Sequence, residues 1–148
     1  MAATAWAVYN IARKYLGNGT INLAGAFRMA LYQSASNFNT ATLSTYAQVT
    51  SEVANGNGYT TLGAALANEV WTVGASAGQY KFDADDPFWS ANGGTISNIK
   101  GAVIYVSAGT TAGRKLLCRS TLTSSQFGLS AGNRLTVQLN ASGILTLA

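Results

Sequence analysis

The sequence predicts a single all-β domain, a β-sandwich with jelly-roll-like topology. Three observations favour this fold: apolar residues alternate in short runs, turn residues separate these runs, and strands do not alternate regularly with helices. We expect about eight short strands, as such folds use many short strands joined by turns. The length of 148 residues is typical of one domain, so residues 1-148 are expected to form one sandwich, with residues 1-20 as an N-terminal helix or arm.

The N-terminal segment predicts a short amphipathic helix. Within residues 4–16, apolar side chains such as Val8 and Ile11 follow helical spacing. Thr4 suits the N-cap, and Gly17 suits the position just after the last turn. Two placements remain open: the helix packs on the chain's own sheet, or it forms an arm on a neighbouring subunit.

The next part of the chain predicts strands separated by a long polar loop. Odd positions in residues 21–32 are apolar, which is typical of a strand with one buried face. Residues 36–50 are polar and mixed, so we expect a loop with one helical turn near 43–47. The Asn-Gly-Asn-Gly run that begins at residue 55 predicts turns. Short strands are expected at three places: 60–62, 69–73 and 79–83.

The second half predicts the central strand and a final pair. A strand starts at Phe88-Trp89-Ser90, after an Asp-Asp-Pro turn. Residues 99–106 are apolar at both odd and even positions, which indicates a central strand covered on both sides. Residues 114–119 form the next strand. Alternation in 134–140 and the apolar run 144–147 predict two last strands, whose partners the sequence does not fix.

Composition favours a protein that works in an assembly. Charged residues make up only 9% of the chain, against roughly 25% in typical domains, and polarity comes mainly from Ser, Thr, Asn and Gln. Three Trp, seven Tyr and five Phe are present. Interface cores are depleted of charge and enriched in aromatic residues, so composition favours a protein that works in an assembly over a low-charge β protein that works alone. The candidates for interface contacts are Trp6, Tyr9, Ile11, Tyr15, Phe38, Tyr46 and Trp89.

Charge and hydropathy argue against nucleic-acid and membrane partners. The net charge is +4, but Lys and Arg are scattered and form no basic stripe. No apolar stretch approaches the roughly 18 residues of a membrane span. The N-terminus has no basic start before an apolar run, so no signal peptide is expected. The single cysteine, Cys118, fits folding in a reducing cytosol.

Two sequence matches to catalytic motifs lack the residues that the chemistry requires. Residues 74–78 match G-x-S-x-G, but the chain has no histidine to serve as the base. Residues 97–100 match S-x-x-K, but the companion motifs are missing, and positions i and i+3 of a strand lie on opposite faces. We therefore predict that the protein is not an enzyme and uses no cofactor.

The only acidic cluster consists of Asp83, Asp85 and Asp86. Three carboxylates so close together are a candidate calcium site, but the EF-hand pattern is absent. A turn in which these side chains bond nearby backbone amides is the simpler interpretation, so no metal is predicted.

Four stretches form an ordered set of motifs over nearly the whole chain. They are 9–32 with Gly-Thr-Ile-Asn-Leu, 52–61 with Asn-Gly-Tyr-Thr-Thr, 82–105 with Phe-Asp-Ala-Asp-Asp and Ala-Val-Ile-Tyr, and 139–145 with Leu-Asn-Ala-Ser-Gly-Ile-Leu. Together they resemble small virion structural proteins of tailed bacteriophages and prophages, of the head decoration or cement type.

The resemblance implies a jelly-roll-like fold and a capsid decoration protein. Such a protein binds the major capsid protein on the outer capsid surface after synthesis in the host bacterial cytoplasm. Closed symmetric oligomers are the usual way to bind a symmetric shell, so the resemblance also implies a homodimer or homotrimer. It supplies no catalytic residue. The alternative is a tail, neck or fibre protein that acts as a structural adaptor. A third class, a carbohydrate-binding module or cell-wall enzyme, would expose Trp71 or Trp89 on a groove, although large aromatic residues of small β domains usually lie in the core.

Overall fold

The computed structural model describes residues 3–148 and confirms an all-β fold with one short N-terminal helix. Twelve strands are present within these residues. The helix α1 spans Asn10–Gly17, and a 3-10 helix spans Tyr46–Gln48. The strands are β1 Ala7–Val8, β2 Phe27–Tyr32, β3 Ala64–Ala65, β4 Val70–Val73, β5 Tyr80–Asp83, β6 Phe88–Ser90, β7 Ile96–Ile99, β8 Gly101–Val106, β9 Leu116–Thr121, β10 Phe127–Leu129, β11 Arg134–Thr136 and β12 Leu145–Leu147.

The strands form one large and three small antiparallel sheets. The large sheet has five strands in the order β1-β9-β8-β2-β3, and a three-stranded sheet has the order β12-β5-β4. Two further pairs are β10-β7 and β11-β6. Two equal four-stranded sheets are not seen in the described part of the chain, so the jelly-roll topology is not confirmed.

The pairing of β2 with β8 forms the centre of the core. The two strands pair over six residues, from Phe27 opposite Val106 to Tyr32 opposite Gly101. The prediction of a central strand near residues 99–106 is confirmed, because β8 is buried along almost its whole length. The prediction that β2 has one solvent face was wrong, because its even-numbered Ala30 and Tyr32 are buried as well.

The loop of residues 36–50 covers one face of the large sheet and is bonded to the start of helix α1, where the Asn10 N–H donates to the Ala41 carbonyl at 3.0 Å. The Phe38 ring lies 6.3 Å from the Tyr32 ring, and the Tyr46 ring lies 4.7 Å from the Tyr105 ring. Gly101 is required beneath Phe38, since a Cβ at this position would lie 2.1 Å from a ring atom. The loop 36–50 therefore forms part of the core boundary, and the helical turn expected near 43–47 is found at Tyr46–Gln48.

The three-stranded sheet packs against the opposite face. Phe27, Met29 and Leu31 lie on this face because side chains alternate along β2. The Phe27 ring meets the Phe82 ring of β5 at 4.9 Å between centroids, and both side chains are buried. The large sheet is thus covered on both faces, by helix and loop on one and by the small sheet on the other.

The helix begins later than its apolar spacing indicated. Residues 7–8, expected to be helical, instead form β1 and pair with Arg119 and Cys118 of β9. The Tyr9 N–H continues this pairing to the Leu117 carbonyl at 3.1 Å. Backbone pairing with a free sheet edge thus outweighs a weak helical preference over the first turn. The helix packs on the chain's own sheet, with Ala12 fully buried.

The strand expected at residues 60–62 is a turn instead. Leu62 has a left-handed backbone with φ of 81°, and Gly63 follows with φ of 70°. A Cβ at Gly63 would lie 1.9 Å from the Met29 carbonyl oxygen, so only glycine allows this approach. Polar side chains hold the Leu62 backbone: its N–H donates to Glu52 at 2.9 Å, and its carbonyl accepts from the Tyr105 hydroxyl at 2.6 Å.

Glu52 connects this turn to the core through two tyrosines. The Tyr59 hydroxyl donates to Glu52 Oε1 at 2.6 Å and accepts the Leu31 N–H at 3.0 Å, and the Tyr46 hydroxyl donates to Glu52 Oε2. Burial, and then the nearby Glu52 charge, raise the pKa of Tyr59 well above its usual value, so this hydroxyl remains a donor at neutral pH. In contrast, the buried Tyr32 hydroxyl has no hydrogen-bond partner among the described residues.

These two tyrosines give a matched pair of predictions about stability. Tyr59→Phe removes two hydrogen bonds and leaves a buried N–H of Leu31 unpaired, so we expect a loss of about 1–3 kcal/mol in the free energy of unfolding. Tyr32→Phe removes an unpaired buried hydroxyl, so stability should change by less than about 0.5 kcal/mol or increase. Urea denaturation at neutral pH measures both, and equal losses in the two variants would contradict the assignment of the network.

Candidate protein-binding surface

One face of the three-stranded sheet carries only apolar side chains. Across its strands, Trp71, Phe82 and Leu145 lie side by side, and Val73, Tyr80 and Leu147 form the next row on the same face. The opposite face carries Thr72, Lys81 and Thr146. The sheet is therefore strongly two-sided, with an apolar face that begins in the core.

The two apolar rows differ in what covers them. Phe82, in the inner row, is fully buried against Phe27. Val73, Tyr80 and Leu147 extend beyond the core and are 61%, 48% and 65% exposed. We call these three residues the overhanging row. Single exposed apolar residues are common, but a contiguous row of them is typical of a protein-binding surface.

An apolar groove adjoins the overhanging row. It has a volume of about 860 Å³ and lies between the end of α1, the loop that follows it and the edge strand β12. Among the described residues that line it, Arg13 is the one with a charge. Its apolar lining comes from Val8, Leu16, Ile21, Leu23, Trp71 and Leu145.

The wall formed by residues 17–24 is held by local hydrogen bonds of its own side chains. Asn18 Oδ1 accepts the Thr20 N–H at 3.1 Å, and Asn22 Oδ1 accepts the Ala24 N–H at 3.0 Å. In such Asx turns, the asparagine side chain bonds the backbone two residues on and so orders a loop that has no helix or strand. Ile21 is buried, and its N–H donates to the Tyr15 carbonyl at 3.0 Å. The groove is therefore built by an ordered wall.

The three aspartates of the acidic cluster each have a separate structural partner. Asp83 pairs with Lys81 at 2.8 Å, and Asp85 accepts the Asn68 side-chain amide at 2.6 Å. Asp86 accepts the Leu139 N–H at 2.7 Å, 53 residues further along the chain. No group of three potential metal ligands occurs among the residues that the structure describes. Only Asp83 also bonds a nearby backbone amide, accepting the Ala84 N–H at 3.0 Å, whereas Asp85 and Asp86 join segments that lie far apart along the chain.

The predicted interface residues divide into two groups. Tyr9, Phe38 and Trp89 are at most 4% exposed, so these three side chains belong to the core and are not accessible to a partner in the folded chain. Their aromatic character reflects core packing, as with the Tyr9 hydroxyl bond to the Phe38 carbonyl at 2.6 Å. The other four are partly exposed: Trp6, Ile11, Tyr15 and Tyr46.

Sequence reasoning missed the surface that the sheet pairing creates. None of Val73, Tyr80 and Leu147 was a candidate, although each lies in a run of alternating apolar residues. Trp71, considered as a residue for sugar stacking, lines the groove and is half-buried, whereas Trp89 is buried. The available signal was the alternation in residues 70–73, 80–83 and 145–147.

The residues of the two catalytic motif matches lie in ordinary structural positions. Ser76 lies in the turn between β4 and β5, where its carbonyl accepts the Gln79 N–H at 3.1 Å. Ser97 lies on β7, and the Lys100 ammonium donates to the carbonyl of Ser124.

Burial raises the pKa of the Cys118 thiol, so it remains protonated within the core.

Comparison with protein-family models, curated proteins and solved structures gives no match. The resemblance to virion proteins of tailed phages therefore remains a prediction. Within residues 3–148, none of the helices has the length and apolar character needed to cross a bilayer.

The contrast between the two rows can be tested by truncation. Phe82→Ala leaves a cavity between the sheets and should lower the free energy of unfolding by about 3–5 kcal/mol. Leu147→Ala, in the same sheet and on the same face, should change it by less than about 0.5 kcal/mol because the side chain is mostly in solvent. Chemical denaturation of both variants measures this. A large loss for Leu147→Ala would mean that the overhanging row belongs to the core.

Proposed function

We propose that this chain is a non-enzymatic structural protein of a tailed bacteriophage particle, which binds the major capsid protein on the outside of the head and stabilises the shell. The observation that supports this proposal best is the overhanging row with its adjoining groove. A surface of this kind contributes free energy only when another protein covers it, at roughly 25 cal/mol per Å² of apolar area removed from water. The identity of the partner, the major capsid protein, is suggested by the ordered motifs that resemble virion proteins.

The physics of shell reinforcement suits a rigid β domain. The central sheet is covered on both faces, and the groove wall is fixed by its own hydrogen bonds. Little conformational entropy is therefore lost when the surface is covered. A protein that binds the assembled shell, and not free capsid subunits, stabilises the assembled state by mass action. Many copies on one head multiply a modest contact free energy.

Binding to purified particles tests the proposal. We expect the wild-type chain to bind heads that lack it and to raise the temperature at which they release DNA. Leu147→Glu places a charge in the overhanging row and should abolish both effects while the fold is kept. Phe88→Glu is the matched control, because Phe88 is also about half exposed but lies on β6 in a different sheet. It should bind like the wild type.

The location of the bound protein distinguishes this proposal from other positions in the particle. Gold-labelled protein should cover the whole head in electron micrographs. Label confined to the tail or to one vertex would contradict the decoration function and favour an adaptor. Absence of label from every part of the particle, with the fold intact, would contradict a role in the particle.

A further inference from the structure

The outer edge of β4 has backbone groups that point away from its sheet. Strand β4 pairs only with β5 among the strands of its sheet, since the order is β12-β5-β4. The Gly74 N–H donates to the Gln79 carbonyl at 2.8 Å, so Gly74 points towards β5. Backbone direction alternates along a strand, and Thr72 therefore points towards β5 as well. Trp71 and Val73 direct their N–H and C=O groups outwards, to the free edge.

This edge is short, but it carries no residue that protects an edge strand. Residues 70–73 read Val-Trp-Thr-Val, with no charge, no proline and no bulge in the pairing with β5. Natural edge strands are commonly protected by lysine, proline or a bulge. Val70 and Val73 are also exposed, at 42% and 61%. An unprotected edge with β-branched side chains is a template for another strand.

We propose that β4 pairs antiparallel with β4 of a second copy of this chain, about a two-fold axis that passes beside Thr72. In this register Trp71 lies opposite Val73 of the second copy, and the two residues exchange N–H···O=C bonds through their outward groups. Thr72 then lies opposite Thr72 of the second copy. The two-fold axis repeats the contact of Trp71 with Val73 on the other side of Thr72. The outward N–H and C=O groups of both residues are therefore all hydrogen-bonded in the pair.

The side chains favour this register. Trp71 and Val73 project to the same apolar face, so each copy contributes an aromatic residue beside a β-branched residue, a favourable cross-strand pair. The inner row of one copy then continues into the overhanging row of the other. A shift by one residue would place inward-pointing backbone groups of Thr72 at the edge and lose these bonds. No charged residue of β4 opposes the contact.

The contact is short, so the dimer should be weak in free solution and reinforced when many copies lie on one surface. Stable interfaces bury about 800 Å² per partner, and one strand pair with its side chains buries less. The inference goes beyond the proposed function and does not depend on it, because it concerns the chain's affinity for its own copies. Both therefore need separate measurements.

A cysteine at the axis tests the register directly. In a pair without mutual hydrogen bonds, opposite Cα atoms lie about 4.5 Å apart, within the range of a disulfide. Thr72→Cys should therefore form a covalent dimer as the main product when oxidised glutathione is added to the folded protein. The glutathione is reduced as the two thiols are oxidised to the disulfide. Native Cys118 is fully buried and does not compete.

Two further variants complete the experiment. Val70→Cys lies on the same strand and face, but it is two residues from the axis, so its copies would be about 13 Å apart and should stay monomeric. The second variant adds Val73→Pro to Thr72→Cys. Proline removes the N–H of residue 73, which points outwards and makes no bond to β5. This change should therefore abolish the covalent dimer while circular dichroism remains unchanged. Monomeric Thr72→Cys, or equal cross-linking of Val70→Cys, would overturn the proposal. Binding to heads is scored separately, so either result leaves the test of the proposed function intact.

Discussion

The antiparallel pairing of β2 with β8 is the constraint on which the rest of the structure depends. Both strands are buried on both faces along most of their length, so two layers must cover them. Helix α1 and the loop that carries Phe38 form one layer, and the sheet β12-β5-β4 forms the other. The inner row of this small sheet meets Phe27 through Phe82, whereas its outer row is exposed to solvent. The candidate binding surface is thus a consequence of how the core is covered.

Polar interactions in this protein fix turns, and few of them involve ion pairs. The one salt bridge of the described residues joins Lys81 to Asp83, whose side chains are partly buried. Glu52 has a larger structural role, since it holds the left-handed Leu62 and the Tyr59 hydroxyl at once. A chain with little charge can therefore present uncharged surface to a partner while its loops remain ordered. This combination suits a protein that spends its lifetime bound to a larger assembly.

The sequence predicted the elements with strong periodicity and missed those set by tertiary contacts. Strands β4, β5, β6 and β8 lie where alternating or continuous apolar runs indicated them. The first helical turn and the strand near 60–62 were wrong, because backbone pairing at residues 7–8 and side-chain bonds to Leu62 decide those places. Strand partners are non-local, and local patterns carry no information about them. For the same reason, the choice of aromatic residues as interface candidates included buried residues such as Trp89. Leu147 could be identified as an exposed apolar residue only from the pairing of the strands.

The central claim is that the apolar face of the three-stranded sheet is covered by another protein when this chain functions. Hydrogen–deuterium exchange of the chain, free and bound to purified heads, tests it most directly. The account predicts added protection in peptides that contain residues 70–73, 80–83 and 145–147, and unchanged exchange in β6 and β11. Protection confined to β6 and β11, with the three-stranded sheet still exchanging as in the free chain, would contradict it.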